Sequence, residues 1–433
     1  MMRVSLVFNH IGVAGMSDCR PDGDREGSWI GHGIASVGAS AKKNGYNVDL
    51  IDLRGLSGWD AFESIIINDP ADVYGFSVSA VDHWHALKAI LIVKRNLPDS
   101  KIIVGGIHPT IFPGEYEFDV IDSVVQGEGE VTFTKILDKI YLGKSLPKVI
   151  RGEKPDLDKI QWIDRELFDY SKELKCGMAP DQALPAITML AGRGCPYKCA
   201  YCQPAENAVF GYPYRMRSPE NVVAELSYLK GRYRYKSVTF WDDTFTFNAK
   251  WVRDFCDLYE SAKIGADIVA CSRADIICKN EGMIERLSEI GLKWFVIGLE
   301  SGSQRILNLI QKGTTVEQNK RAAKICRKYG IKIFGTYMFG LPTETVDESL
   351  ATARMIDEIS PEHASPFWFV PIKGTKIYDT CKEKGLILSG TEDRTIERTG
   401  CFNRTMKDVD YNYITMLMKG YRGKPGYHER LGW

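Results

Sequence analysis

Three cysteines stand close together in the stretch GRGCPYKCAYC, residues 192 to 202. Three residues separate Cys195 from Cys199 and two separate Cys199 from Cys202, so the thiolates can converge on one metal centre. Structural zinc sites are also rich in cysteine but have four protein ligands, and Cys176 could supply the fourth. An iron-sulfur cluster with three cysteine ligands leaves one iron open to a small molecule. We favour that centre over zinc, because none of the seven histidines is a near neighbour of the cysteines in sequence.

The cysteine loop directly follows a buried strand that the hydrophobic pattern predicts. Six strands are predicted in this half of the chain, at 186–190, 237–241, 268–271, 294–299, 331–338 and 367–370, with helical stretches such as 220–230 and 317–329 between them. Six βα units predict a partial (β/α)6 parallel barrel, whose functional site lies at the carboxyl ends of the strands. The cysteines are therefore expected at the active face.

The first half of the chain shows the same alternation of strands and helices. Short buried strands are predicted at 4–8, 48–53, 73–78, 102–104 and 123–126, separated by helices such as 85–96. This pattern predicts an α/β protein whose N-terminal domain has a doubly wound, Rossmann-like parallel sheet that binds ligands at its carboxyl edge. The predicted division is a domain at 1–144, a linker at 145–185, the barrel at 186–385 and a C-terminal extension at 386–433.

Composition excludes several classes of partner. The 56 basic residues balance the 56 acidic ones, so no net field draws the chain to nucleic acid or to an acidic membrane. No stretch of 18 apolar residues could span a bilayer, and no signal peptide is apparent. Eleven cysteines, an odd number in a large protein, argue against a disulfide scaffold. We expect a cytoplasmic protein that binds neither nucleic acid nor membrane.

The cysteine spacing, the aromatic residue before the last cysteine and the six-unit barrel together resemble the radical S-adenosylmethionine (SAM) superfamily. The resemblance implies a 4Fe-4S cluster on the three cysteines, with SAM chelated to the open iron. Four further stretches, FWDDTFT, CSRADII, VIGLESGS and FGLPTET, follow strands where that family places its SAM ligands. The implied SAM-binding residues are Tyr201, Asp242, Asp243, Ser272, Arg273, Glu300, Gly340 and Leu341. Of the two aspartates, one would bind the amino group, in place of the commoner Gly-Gly-Glu motif.

The stretches NGYNVDLIDLRG, VGGIHPTIFPGE and VVQGEGEVTF look like the cobalamin-binding domain that precedes many radical SAM enzymes. Two competing fingerprints are absent: the Gly-x-Gly-x-x-Gly turn of nucleotide-binding Rossmann domains, and the Asp-x-His-x-x-Gly motif that ligates cobalt in methionine-synthase-like proteins. The implied cobalamin-binding residues are Ser77, Val78, Ser79, Asp82, His83, Trp84, Gly105, Gly106, His108, Pro109, Gly127, Glu128 and Glu130. Trp84 would shield the lower face of the corrin, whereas His83 or His85 could coordinate cobalt; we expect an open or water-bound lower face.

The resemblance implies a cobalamin-dependent radical SAM methyltransferase that C-methylates an unactivated carbon through a 5'-deoxyadenosyl radical and methylcobalamin. Relatives with this domain order also catalyse cyclisation, rearrangement or redox steps, and a non-catalytic cobalamin or iron-sulfur sensor is a more distant alternative. The expected partners are an external electron donor such as ferredoxin or flavodoxin, and a small-molecule or protein substrate. In size the chain is similar to the glutamine C-methyltransferases of methanogens, which modify methyl-coenzyme M reductase. Tyr337 and Trp368 are the predicted substrate contacts.

Overall fold

The structure is a computed structural model that describes residues 2–9, 30–202, 211, 214–391 and 404–420. The described residues form two compact units, the first of residues 2–9, 30–173 and 211, and the second of residues 174–202, 214–391 and 404–420. Each unit contains a six-stranded parallel sheet, which confirms the predicted α/β class. None of the described helices combines the length and the apolar character that crossing a bilayer requires.

The first unit is built on a doubly wound sheet. Its strands are β1 (Arg3–Phe8), β2 (Asn47–Asp52), β3 (Val73–Ser77), β4 (Lys101–Gly105), β5 (Ser123–Gln126) and β6 (Val149–Arg151). They are all parallel and lie in the order β2-β1-β3-β4-β5-β6. The direction of winding reverses between β1 and β3, so the crevice outside the carboxyl ends of these strands is the expected ligand position.

Helices cover the first sheet in two groups. They are α1 (His32–Lys43), α2 (Trp59–Asn68), α3 (His83–Asn96), α4 (Ile107–Ile111), α5 (Glu130–Tyr141) and α6 (Tyr170–Glu173), with short 3-10 turns at Leu53–Gly55, Ala80–Asp82, Pro113–Tyr116 and Arg165–Leu167. Helix α1 packs against α5, and α2 packs against α3. The apolar strands between them are buried, as expected for a parallel sheet.

The second unit has the strand order of an incomplete barrel. Its parallel strands are β7 (Ala186–Met189), β10 (Ser237–Phe240), β11 (Asp267–Ser272), β12 (Leu292–Glu300), β13 (Lys332–Phe339) and β14 (His363–Trp368), each paired with the next. A small antiparallel ribbon, β8 (Gly192–Arg193) with β9 (Arg215–Met216), follows β7. The six predicted strands are therefore confirmed, in sequence order across one sheet.

The helices of the second unit return the chain between these strands. They are α7 (Pro219–Tyr233), α8 (Ala249–Ser261), α9 (Ala274–Lys279), α10 (Glu281–Glu289), α11 (Gln304–Leu309), α12 (Val316–Lys328), α13 (Val346–Ile359), α14 (Lys376–Glu383) and α15 (Tyr411–Gly420). Capping boxes at Thr315 and Thr345 fix the first residues of α12 and α13.

One edge strand of each six-stranded sheet differs from the prediction. The stretch 145–185 contains β6, a three-residue edge strand with too short an apolar run to be recognised. Strand β14 begins at His363, four residues before the predicted start, and its sequence includes Pro366. A proline is tolerated there because β14 lies at the edge of the sheet, where one side of the strand has no partner.

Residues 174–185 lie at the amino ends of the second unit's strands, and we call them the amino-end plug. The amide of Gln182 donates a hydrogen bond to the Ser237 hydroxyl at the start of β10, 2.9 Å away. The indole of Trp294, near the start of β12, donates to Asp181 over 2.9 Å. The plug therefore lies at the end of the barrel opposite to the cysteine loop.

Candidate active site

The cysteine loop leaves the carboxyl end of β7 through β8. Its backbone is held by hydrogen bonds from the Ala200 N–H to the Ile310 carbonyl, 2.8 Å, and from the Cys202 N–H to the Cys199 carbonyl, 3.1 Å. Ala200 and Ile310 belong to one buried apolar cluster. The fold therefore anchors the loop between its second and third cysteines, where a metal centre would need a rigid support.

The three thiols act on one another electrostatically. Although Cys202 is exposed at the surface, desolvation by the surrounding protein, followed by the charges of Asp243 and the two other cysteines, raises its pKa to about 12, and burial raises the pKa of Cys195. A structural zinc ion would need a fourth protein ligand besides these three thiols. Cys176 belongs to the amino-end plug. The loop therefore offers three thiols without the fourth ligand of a structural zinc site, which fits an iron-sulfur cluster with one open iron.

The two adjacent aspartates after β10 have different surroundings. Asp242 is buried and accepts hydrogen bonds from the backbone N–H groups of Ala191, 3.0 Å, and Gly192, 2.5 Å. Burial raises its pKa to about 7. Asp243 is exposed, and its charge acts on Cys195 and Cys202. Asp242 thus shapes the start of the cysteine loop, while Asp243 is the carboxylate near the thiols.

Arg273 lies beside the second cysteine. Its Nη1 is 3.8 Å from Cys199 Sγ, and the centre of its guanidinium lies 3.6 Å from the centroid of the Tyr197 ring. Nη2 donates to the Lys312 carbonyl over 2.6 Å, and Nε donates to Asp275 over 3.0 Å. These contacts hold a cation next to the loop although the side chain is buried.

Glu300 ends β12 within a buried polar group. Its φ of 59° is unusual for a residue other than glycine. Oε1 accepts hydrogen bonds from the Tyr201 hydroxyl and the Lys312 ammonium, each 2.8 Å away. Burial keeps the pKa of Tyr201 well above its usual value, so its hydroxyl stays a donor. Lys312 was not predicted, because a single lysine before a glycine is ordinarily solvent-exposed.

The other residues predicted to bind SAM shape the strand ends. The Ser272 hydroxyl shares a hydrogen bond of 2.6 Å with Thr246. Gly340 has a φ of 77°, and its N–H donates to Glu344 over 2.7 Å. Leu341 is buried in the same apolar cluster that contacts Tyr201. A contact of these residues with SAM stays a prediction.

The two predicted substrate contacts are buried. Tyr337 is fully buried on β13 and meets Phe339 edge-on, with ring centroids 5.7 Å apart. Trp368 ends β14 and packs on Tyr411 of α15 at 4.8 Å. Both have the environment of packing residues, and their contact with substrate stays a prediction.

In the first unit, the loops after β3 and β4 interlock. The Val78 N–H donates to the Gly105 carbonyl over 2.8 Å, and the His108 N–H donates to the Val78 carbonyl over 3.1 Å. Gly106 has a φ of 105°, and a Cβ atom there would lie 2.6 Å from the nitrogen of Val78. Glycine is required at this position for both reasons.

The residues predicted to bind cobalamin lie at or after the carboxyl ends of β3, β4 and β5. Gly127 has a φ of 107°, and its N–H donates to the Thr110 hydroxyl over 2.9 Å. Glu130 begins α5 and accepts from Ser36 over 2.8 Å. The structure brings the following predicted residues to this edge: Ser77, Val78, Ser79, Asp82, His83, Trp84, Gly105, Gly106, His108, Pro109, Gly127, Glu128 and Glu130.

A buried tyrosine joins two of these histidines. The Tyr116 hydroxyl lies 2.7 Å from His83 Nδ1 and 2.8 Å from His108 Nδ1, and His108 Nε2 lies 3.6 Å from a Glu115 oxygen. Trp84 packs edge-on against His83 and is 65% exposed. Glu115 and Tyr116 were not predicted, because a Gly-Glu-Tyr turn carries no metal-ligand spacing.

Two family models match the chain. A radical SAM superfamily model matches residues 189–356, and a B12 binding domain model matches residues 23–137. The chain is a cobalamin-dependent radical SAM enzyme. Both matches fall on the halves where sequence analysis placed these domains.

Relatives of this radical SAM enzyme have diverse names. It is 29% identical to an uncharacterized methyltransferase of Pyrococcus horikoshii, over 81% of this chain and 78% of that protein. It is 26% identical to an anaerobic magnesium-protoporphyrin IX monomethyl ester cyclase of Rubrivivax gelatinosus, over 91% and 70%. Its fold is similar to OxsB, a cobalamin-dependent SAM radical enzyme solved with aqua-cobalamin and SAM, with a TM-score of 0.73 and 16% identity. That match covers 97% of this chain and 66% of OxsB, just under two thirds of its length.

The domains imply a 4Fe-4S cluster, SAM and cobalamin as the cofactors of this enzyme. The cysteine loop fits a cluster, since it offers three thiols on an anchored backbone beside the Arg273 cation. The carboxyl edge of the first sheet fits a corrin, because it exposes the large apolar side chains Trp84, 65%, and Ile107, 51%.

Proposed function

We propose that this enzyme transfers a methyl group to an unactivated saturated carbon. The proposal rests on the presence of two domains in one chain: a radical SAM domain with an anchored three-cysteine loop, and a B12 binding domain. Ordinary transfer from SAM requires a nucleophilic acceptor, and a saturated carbon is not one. When bound, the cluster would cleave SAM to a 5'-deoxyadenosyl radical that removes a hydrogen atom from substrate, and cobalamin would carry the methyl group that replaces it.

Three charged residues are proposed to hold SAM beside the cysteines. The Arg273 guanidinium would bind the carboxylate, because its planar fork can donate to both oxygens and it lies next to Cys199. Asp243 would accept from the amino group, since it is the aspartate whose charge acts on the thiols. Glu300 would accept from the ribose hydroxyls through Oε2, because Oε1 already accepts two hydrogen bonds.

Ring closure without methyl transfer is the second candidate function. The observation in its favour is the cyclase name of a relative that matches 91% of this chain. A rearrangement or redox step would use the same radical. These reactions differ from methylation in one respect that can be measured, since the methyl carbon of SAM does not enter their products.

The substrate is proposed to be either a small molecule or a segment of a protein, such as a glutamine side chain. Glutamine is proposed from the similarity in size to the glutamine C-methyltransferases of methanogens. An external reductant of the ferredoxin or flavodoxin type would supply electrons to the cluster, because cleavage of SAM consumes one electron. In either case the acceptor carbon must reach the carboxyl face of the barrel, where the cysteine loop lies.

The test is anaerobic reconstitution of the full chain with iron, sulfide and hydroxocobalamin, followed by SAM carrying a 13C-methyl group, a reductant and candidate substrates. A glutamine-containing peptide and a porphyrin monomethyl ester represent the two substrate classes. We expect about four irons and one cobalamin per chain, formation of 5'-deoxyadenosine, and 13C in the product. Substrate consumption without label in any product would overturn methyl transfer and favour ring closure.

Matched cysteine variants separate the cluster from general thiol effects. Cys199→Ala should lose most of the iron and all formation of 5'-deoxyadenosine. Cys176→Ala, in the amino-end plug, should retain both. If both variants lost iron equally, the assignment of the cluster to the loop would be wrong.

A further inference from the structure

Alternate side chains of the last two barrel strands face the inside of the barrel. Phe334 of β13 belongs to a buried cluster with Trp294 of β12 and Ala179 of the amino-end plug, so it faces inward. The ring centroids of His363 and Phe334 are 4.2 Å apart, which puts the start of β14 on the same face. Side chains alternate along a strand. The inward positions that follow are therefore Thr336, Met338, Ser365 and Phe367, which we call the inner wall.

The inner wall is more accessible than the rest of these strands. Its four side chains are partly exposed, whereas the residues that alternate with them are buried: Tyr337, Phe339, Pro366 and Trp368. Packed side chains ordinarily fill the inside of a parallel barrel. Partial exposure on this face therefore indicates a space inside the barrel, between the amino-end plug and the carboxyl face. The two substrate contacts predicted from sequence lie on the opposite, buried face.

The inner wall lies beside the residues proposed to hold SAM. Met338 packs against the same apolar cluster as Tyr201 of the cysteine loop. Thr336 is the register partner of Gly298 on β12. A Cβ atom at Gly298 would meet Glu300 Oε1, so the side of β12 next to Thr336 faces that carboxylate. A substrate on the inner wall would therefore lie next to the proposed SAM site.

The inner wall carries hydroxyl and apolar groups and no charge. Thr336 is in register with Ser365, and Met338 is in register with Phe367, so two hydroxyls form one row and two apolar side chains form the next. Neighbouring strands are about 4.8 Å apart, so both hydroxyls can contact one polar group. Neither hydroxyl makes a hydrogen bond within the part of the chain that the structure describes. Both are therefore available to a ligand.

We infer that the inner wall binds the substrate and selects an acceptor that is uncharged where it meets the wall. Its polar group would contact the two hydroxyls, and its apolar part would contact Met338 and Phe367. The inference rests on the proposed function and names the substrate class of that site. A carboxylate or ammonium group would lose water here and gain no opposite charge from the wall. An amide or hydroxyl can exchange hydrogen bonds with both hydroxyls, because each of them donates and accepts.

Charged groups at the same face of the barrel have other partners. Arg273 donates to Asp275 over 3.0 Å, and Glu300 accepts from Lys312 over 2.8 Å. The proposed function assigns the remaining hydrogen-bonding capacity of Arg273 and Glu300 to SAM. A charged substrate would therefore compete with SAM for these groups, whereas an uncharged one would not.

The test uses hydrogen-atom transfer and needs no methylated product. The full chain, reconstituted with iron, sulfide and hydroxocobalamin, receives SAM, a reductant and one of two probes. The probes are the N-acetyl amides of glutamine and glutamate, deuterated on the side-chain carbons, which share a shape and differ in charge. A probe on the inner wall would give one deuterium atom from a C–D bond to the 5'-deoxyadenosyl radical, and mass spectrometry measures deuterium in 5'-deoxyadenosine.

We expect at least about tenfold more deuterium from the glutamine probe than from the glutamate probe, because only the carboxylate must be desolvated as an ion. Equilibrium dialysis of the same probes with SAM and no reductant should show the same order of affinity without turnover. Equal deuterium from both probes, or none from the glutamine probe, would overturn the inference.

Three variants locate the probe in the barrel. Thr336→Val and Ser365→Ala each remove one hydroxyl of the wall and should lower deuterium transfer from the glutamine probe about fivefold. Thr380→Val makes the same change in α14, where the hydroxyl donates to the Lys376 carbonyl over 3.1 Å, and should leave the transfer unchanged. The readout is the ratio of deuterated to total 5'-deoxyadenosine, because loss of folded protein lowers both. Unchanged transfer in both wall variants, or an equal loss in Thr380→Val, would overturn the inference.

The same samples separate this inference from the proposed function. Deuterium from the glutamine probe without the SAM methyl carbon in any product would defeat methyl transfer and leave the inner wall as the substrate site. The methyl carbon in a product, together with equal deuterium from the two probes, would defeat this inference alone.

Discussion

The buried pair of Lys312 and Glu300 permits a quantitative test of how the candidate SAM site is held. The side chains are 9% and 8% exposed, and Nζ lies 2.8 Å from Oε1. Lys312→Met keeps the apolar stem but leaves the carboxylate of Glu300 buried, with the Tyr201 hydroxyl as its remaining donor in this group. Breaking one side of a buried pair costs about 3–5 kcal/mol. For a unit of this size we expect Tm to fall by about 6–20 °C, at roughly 2–4 °C per kcal/mol.

The assay is differential scanning calorimetry of the apo protein under anaerobic conditions, with a double variant as the control. Lys312→Met with Glu300→Gln removes both charges, so an amide rather than a carboxylate is buried. The double variant should therefore be more stable than Lys312→Met alone, which a cycle of the four proteins measures. A fall of less than about 2 °C in the single variant, or a double variant that is less stable than the single one, would refute the argument that an unpaired charge causes the loss.

Three further predictions concern single positions. Asp243→Asn should weaken SAM binding about tenfold, measured by equilibrium dialysis, as expected for loss of a charge-assisted hydrogen bond of about 1.5 kcal/mol. Asp242→Asn should mainly lower Tm. Equal effects of the two variants on SAM binding would contradict the assignment of SAM binding to Asp243 and of a structural role to Asp242. Gly106→Ala should abolish cobalamin retention, because the new methyl group meets Val78 and φ is strained; normal cobalt content would count against this. Burial raises the pKa of Glu344 to about 7 in the folded state. Its carboxyl group therefore contributes stability that is present below its unfolded pKa and is lost as pH rises through about 7. Tm should fall between pH 5 and pH 8, and the Tm of Glu344→Gln should fall less over the same range.

Much of the fold was accessible from sequence because buried parallel strands are short apolar runs. The predicted strand at 123–126 coincides with β5, and the predicted strand at 237–241 differs from β10 by one residue. Failures occurred where the apolar signal is weak. Strand β6 is a partly exposed edge strand, and β14 starts with a histidine and contains a proline.

The candidate site was less accessible, because its side chains interact across the fold. Sequence analysis could not distinguish Asp242 from Asp243, since the difference is whether the carboxylate turns toward the backbone of Ala191 and Gly192. Lys312 comes twelve residues after Glu300, and only folding brings their side chains together. Tyr116 contacts His83 and His108 in the folded chain, and no sequence spacing predicts either contact.

The amino-end plug has a kinetic consequence. Since Gln182 and Asp181 bond to residues near the starts of β10 and β12, at the end of the barrel opposite to the cysteine loop, we expect small molecules to enter and leave the second unit at the carboxyl face. If SAM lies against the cysteine loop and substrate lies over it, SAM must bind before substrate, and the nucleoside formed from SAM must leave after the product. Turnover is expected to follow a compulsory order, with SAM first, and a large excess of substrate should slow the enzyme by trapping spent nucleoside inside.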